Sequence, residues 1–167
     1  MHVREEHRFE AAVVDVVAVL TDPGFLEEKC RETRALEHSA DVQQVGSNLI
    51  TTVRRAQATT GLPELATRFL GQRSVLVETV TWAPAGADGR RTGRFELLVE
   101  RVPLSATGTI SVVPVGPAAC LQVLDAEVTA RVPLFGRQAE QAAADGLRKA
   151  LAVENGVAAR WLARRAG

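Results

Sequence analysis

The chain has no tyrosine, and its aromatic residues amount to two tryptophans and five phenylalanines among 167 positions. Stacking nucleic-acid bases takes aromatic planes, so no nucleic-acid partner is expected. An excess of one charge is also missing. Lys and Arg total 20 and Asp and Glu total 20, a formal net charge of zero, which gives no overall pull toward nucleic acid or an anionic membrane. The two cysteines, Cys30 and Cys120, lack CxxC spacing, so two reduced thiols are expected rather than a disulfide. With only three scattered histidines, no metal-ligand pattern arises and no metal or cofactor is implied. No apolar run approaches the ~20 residues that span a bilayer. The segment from Arg4 to Arg8 is charged and lacks the apolar core of a secretion signal. These absences predict a soluble, cytoplasmic chain with no integral membrane association. They leave oligomeric state open.

What is present is globular. Hydrophobic residues make up 46% and charged residues 24%, enough for a real core in one domain over 1–167. Val3, Glu5, His7 and Phe9 alternate with charged neighbours, which predicts a first strand. Ala12, Val13, Val16, Val17 and Leu20 have the spacing of a short helix. A second short helix is predicted to start at Asp22-Pro23, with Asp22 as cap and Pro23 in the first turn, where its missing N–H costs nothing. Its Phe25, Leu26 and Cys30 are expected to face inward.

Strand patterns then follow at 36–45, 48–58, 73–83, 93–102, 105–115 and 120–132. Gly46-Ser47, Asp88-Gly89 and Gly116-Pro117 mark the turns. A short helix at 62–70 interrupts them, with Leu65, Phe69 and Leu70 on its apolar side. It reads equally as a lid over a cavity or as a packed crossover. Strands with one dry and one wet face, joined by short turns, predict an antiparallel sheet.

The last segment, 134–165, reads as one long amphipathic helix. Ala143, Leu147, Ala150, Leu151, Ala158, Trp161 and Leu162 share a face at the helical period. Asn155-Gly156 is a possible stop signal, but the stripe resumes in phase beyond it. Glu140 and Glu154 interrupt the stripe. Glu140 is near the helix start, where the helix dipole accounts for it.

The order is strand, two short helices, an antiparallel run and a long helix. Several stretches bear on kinship: Val19-Leu-Thr-Asp-Pro-Gly-Phe-Leu-Glu-Glu-Lys-Cys30, Leu62-Pro63, Gly71, Val132-Pro-Leu-Phe-Gly136, and Glu154 followed by Trp161-Leu162. In these the chain resembles the START-like (SRPBCC, polyketide cyclase-like) superfamily, and within it a bacterial family of unknown function. The resemblance implies an α+β helix-grip fold, in which a curved antiparallel sheet of about six or seven strands wraps a long C-terminal helix. It also implies a cavity between sheet and helix that takes apolar molecules. It brings no reaction with it.

The expected function is binding of a hydrophobic small molecule or lipid. The expected lining is Leu97, Val99, Val128, Leu147, Leu151 and Trp161, with Phe69 at the mouth and Glu154 or an arginine at the polar end. The alternative is a cyclase- or hydrolase-type enzyme using Glu154 or His7 as general base. Against a functional role, Glu154 reads first as half of an ion pair with a sheet arginine such as Arg55 or Arg101. His7 reads first as a satisfied core or rim residue. Small side chains at Ala126, Ala130, Ala143 and Ala150 favour an open cavity over a filled one.

Overall fold

The computed structural model describes residues 1–60 and 64–167, apart from the side chains of Leu65, Ala66 and Phe69. Its elements run β1 (His2–Phe9), α1 (Val13–Leu20), α2 (Pro23–Glu32), β2 (Glu37–Val45), β3 (Asn48–Ala58), α3 (Glu64–Leu70), β4 (Arg73–Trp82), β5 (Arg91–Val99), β6 (Leu104–Gly116), β7 (Ala119–Ala130) and α4 (Gly136–Ala166). The strands form one seven-stranded sheet in the order β1-β7-β6-β5-β4-β3-β2, and every pairing is antiparallel. The expected α+β architecture is present: a curved sheet, two short helices after the first strand and one long helix at the end.

Local chemistry explains the joints. The Asp22 side chain accepts a hydrogen bond from Gly24 N at 2.8 Å, and Pro23 opens α2. Gly46 and Gly89 occupy the left-handed region at φ 60° and 78°, which glycine enters without a steric penalty at tight turns. β5 ends three residues short of the expected Val102. Arg101 stands at φ 64°, and Val102 N turns back to Val99 O. α4 begins at Gly136 rather than residue 134, because Leu134 is at φ 66°, outside helical space. It then runs through Asn155-Gly156 without a break.

β6 and β7 come close at Gly108, where an added Cβ would collide with the Asp125 carbonyl. The core lies between the sheet's inner face and the helices. Val3, Phe9, Val53, Val80, Trp82, Phe95, Ile110 and Leu124 meet Val16, Phe25, Leu26, Leu147, Leu151 and Val157 there. Burying each large aliphatic side chain contributes about 1.5–3 kcal/mol. Among the described residues, no helix is long and apolar enough to cross a membrane.

Candidate functional site

Strand alternation sends Thr51, Val53, Arg55 and Gln57 of β3 inward, along with Leu76, Glu78, Val80 and Trp82 of β4. Two charged side chains of the sheet therefore enter the space under α4. Helical spacing does the same in α2, where Phe25, Leu26, Lys29 and Cys30 are all buried on one face. The Lys29 ammonium donates to Glu78 Oε1 and Glu154 Oε2, each at 2.7 Å. Arg55 Nη2 lies 3.9 Å from Glu78 Oε2. The cluster thus holds two cations and two carboxylates and is neutral overall.

Burial works against the charge on Lys29, but the carboxylates of Glu154 and Glu78 outweigh it and hold its pKa above the ordinary lysine value. Burial also pushes Glu78 upward, and there Lys29 and Arg55 prevail and lower it. Lys29 joins α2, β4 and α4 through one nitrogen. A space of about 30 Å³ beside the cluster has room for little more than a water molecule.

A second, larger cavity of about 170 Å³ lies further toward the N-terminal half of α4. Its sheet wall includes Leu76, Leu97, Val99 and Leu104, and its helix wall includes Ala143, Gly146, Leu147 and Ala150. Leu70 and Val132 also border it. The small residues of α4 leave the room that larger ones would fill, and a Cβ on Gly146 would meet nothing within 4 Å.

Arg55 borders both cavities. It is only 5% exposed, and its Nε is buried with no hydrogen-bond partner. A guanidinium carries five N–H donors, and a buried donor left unmade costs about 1–3 kcal/mol. Arg55 therefore brings to this wall a buried donor with no partner. The apolar alternation of β3 breaks at Arg55, and that break is the signal that marks it in the sequence.

The structure distributes the expected site residues unevenly. Leu97, Val99 and Leu147 border the large cavity. Leu151 and Glu154 border only the small one of these two. Val128 is 1% exposed in the core and borders neither. Trp161 is one to correct. Its indole N–H donates to Glu28 at 2.8 Å and its ring packs edge-on to Phe25, so it fastens α4 to α2 beyond the cavity. The Phe69 side chain, and with it the expected lid, lies outside the described residues.

Glu154 pairs with Lys29, not with Arg55 or Arg101. Lys29 reaches it from the helix side, and Arg101 is exposed in the β5–β6 turn. Glu140 does more than answer the helix dipole, since its carboxylate accepts from Ala130 N at the end of β7. His7 packs edge-on to Phe9 at 4.5 Å and opens on a surface groove with Gln122 and Arg148, away from the large cavity. The Cys120 thiol is pushed by burial up to about 11, and burial raises that of Cys30 too, so neither is a ready thiolate. No cluster of three or more metal-ligating side chains occurs among the described residues.

The family model described as "Protein of unknown function (DUF2505)" matches residues 4–162. No curated protein matches the sequence. Among solved structures, the Zhui aromatase/cyclase from Streptomyces sp. R1128 aligns with a TM-score of 0.68 at 12% identity, covering 100% of this chain and 96% of that one. A START superfamily protein from Mycobacterium smegmatis aligns at 0.56 and 15% identity, covering 96% and 98%. Norcoclaurine synthase from Thalictrum flavum, in complex with dopamine and hydroxybenzaldehyde, aligns at 0.56 and 14%, covering 98% and 87%. At such identities the likeness shows a common START-like fold.

Proposed function

Since the chain belongs to the DUF2505 family, whose description assigns no chemistry, we propose from the site itself that the protein binds a small apolar molecule between sheet and α4. The observation that carries this reading is the cavity of about 170 Å³ with the unsatisfied Arg55 on its wall. A cavity of about 150 Å³ lined by aliphatic side chains takes benzene, and drug-sized sites run to about 300–1,000 Å³. The ligand is therefore of single-ring or short-chain size, with one oxygen acceptor turned to Arg55. The fold is compatible with such cargo, as norcoclaurine synthase holds dopamine and hydroxybenzaldehyde.

A general-base role for Glu154 finds less support, because its carboxylate is engaged by the Lys29 ammonium and does not border the larger cavity. His7 faces a different groove. The test is native mass spectrometry of the purified protein, followed by titration with small aromatic ketones. The expected result is a bound small molecule or a saturable ketone site that Gly146→Phe closes. A protein that carries nothing and binds none of the ketones sinks the reading.

A further inference from the structure

The end of the molecule that holds the large cavity has an unusual rim. Leu134 is 92% exposed, the most exposed of the large apolar side chains among the described residues, and it is held at φ 66°. An L-residue other than glycine pays roughly 1–2 kcal/mol for that backbone region. At 92% exposure the Leu134 side chain gains almost nothing from burial to offset that cost. Val132, two residues before it, is buried against the cavity. The loop from β7 to α4 therefore passes directly from cavity wall to an outward-pointing leucine.

The nearby carboxylates are engaged, Glu140 by Ala130 N at 3.1 Å and the N-terminal ammonium at 3.6 Å, and the charge left over around Leu134 is positive. Arg131 in the loop and Arg137 in the first turn of α4 flank Leu134 and are exposed. Arg131 N bonds to Pro103 O at 2.9 Å, which brings the β5–β6 turn and its exposed Arg101 alongside. Val102 and Leu104 of that connection also border the cavity. Among the described residues, the side chains of Arg101, Arg131 and Arg137 make no hydrogen bond or ion pair. The one acid in the two turns, Glu100, is taken by Arg54 at 2.8 Å. The zero net charge of the whole chain thus conceals a local cationic rim.

We propose that this rim docks on an anionic lipid surface, with Leu134 entering the acyl boundary and Arg101, Arg131 and Arg137 meeting the headgroups. Exposed apolar side chains ringed by basic ones are what an interfacial anchor requires. Docking there would face the cavity end toward the bilayer, where sparingly soluble apolar molecules concentrate. The proposal holds whatever molecule occupies the cavity, and it fails or stands independently of ligand binding.

The experiment is co-sedimentation of the full chain with vesicles of phosphatidylcholine alone and of phosphatidylcholine with phosphatidylglycerol in equal parts. Binding is expected only to the anionic vesicles, and it should weaken as salt is raised. The double substitution Arg131→Glu with Arg137→Glu should weaken partition by roughly tenfold or more. Leu134→Gly removes the anchor while relieving the backbone, so its melting temperature should equal or exceed that of the parent as its vesicle binding falls. No binding to anionic vesicles, or binding that neither variant reduces, overturns the proposal. Capture of an acidic protein without vesicle binding overturns it equally.

Discussion

Lys29 and Glu154 lie 125 positions apart in the chain, and their charged ends meet at 2.7 Å under the long helix. The same ammonium reaches Glu78 at 2.7 Å. One buried nitrogen thus ties a helix inserted after the first strand to a central strand and to the last helix. A buried ion pair is weak grounds for claiming net stability, since desolvation opposes it. Its effect is clearest on register. A slip of α4 by one residue would take Glu154 away and leave Lys29 under-compensated in the core.

Lys29→Met should therefore be strongly destabilising, by about 3–5 kcal/mol, because it leaves two buried carboxylates with Arg55 alone. The pH dependence provides a second check. In the parent protein Glu78 is lowered from 4.5, so its contribution is present above pH 4.5 and disappears as pH falls through the lowered value. Lys29 is raised from 10.5, so its contribution is present below pH 10.5 and disappears as pH climbs through the raised value. From these two groups, stability should be level between those limits. In Lys29→Met the stranded carboxylates prefer protons in the folded state, so stability should rise as pH falls from 8 to 5. Urea unfolding at the two pH values reads both effects, and a variant equally stable at each would show that the cluster is solvated.

Arg55 bears on both stability and binding. It makes no hydrogen bond with a described residue, and its nearest carboxylate is 3.9 Å away. Removing its charge in Arg55→Met leaves the buried cluster one negative charge in excess, so the protein should lose stability, but less than in Lys29→Met, because Arg55 stands 3.9 Å from Glu78 while Lys29 meets both carboxylates at 2.7 Å. Affinity for an oxygen-bearing ring such as acetophenone should fall roughly tenfold or more, the worth of a hydrogen bond to a charged group. Affinity for toluene, which has no acceptor, should hardly change. Calorimetric titration of both compounds distinguishes an anchoring arginine from one that only shapes the wall.

Two helical glycines in α4 have open space around them. A Cβ at Gly146 or Gly156 would meet nothing within 4 Å. Each Gly→Ala change should stabilise the protein by about 0.5–1 kcal/mol, through helix propensity and a less flexible unfolded chain. The two differ in consequence, because Gly146 borders the large cavity and Gly156 does not. Chemical unfolding combined with ketone titration should therefore show a stability gain for both, and altered ligand affinity only for Gly146→Ala.

The fold was legible because its signals are local. Asp22-Pro23 caps a helix, Asp88-Gly89 turns a hairpin, and alternating strands alternate whatever they pair with. The site was legible only where it repeats the fold. Leu97, Val99 and Leu147 border the cavity because they also sit on dry faces. The partner of Glu154 was not legible, since a helix-borne lysine among Glu27, Glu28 and Arg31 looks solvated. Its spacing from Phe25 and Leu26, the same that buries Cys30, was the available clue. Trp161 misled for the opposite reason. It continues the apolar stripe, but by that point along α4 the stripe faces α2 and has left the sheet. Periodicity tells which face is dry and does not tell what lies against it.

That distinction is sharpest at Gly108. It looks interchangeable with alanine in a sheet pattern rich in small residues, Ala106 and Ala126 among them. The pairing puts Gly108 opposite Ala126, and any Cβ would collide with the Asp125 carbonyl and approach the Ala126 backbone. A carbonyl in the centre of a sheet is fixed by its neighbours and cannot yield as a flexible side chain can. Gly108→Ala should thus cost about 2–3 kcal/mol, in the range of overpacked cores, and Ala106→Gly should cost less. Thermal melts of the two variants test this directly. A Gly108→Ala protein as stable as the parent would mean that β6 and β7 are further apart at this point, and with it that the sheet bends elsewhere to reach α4.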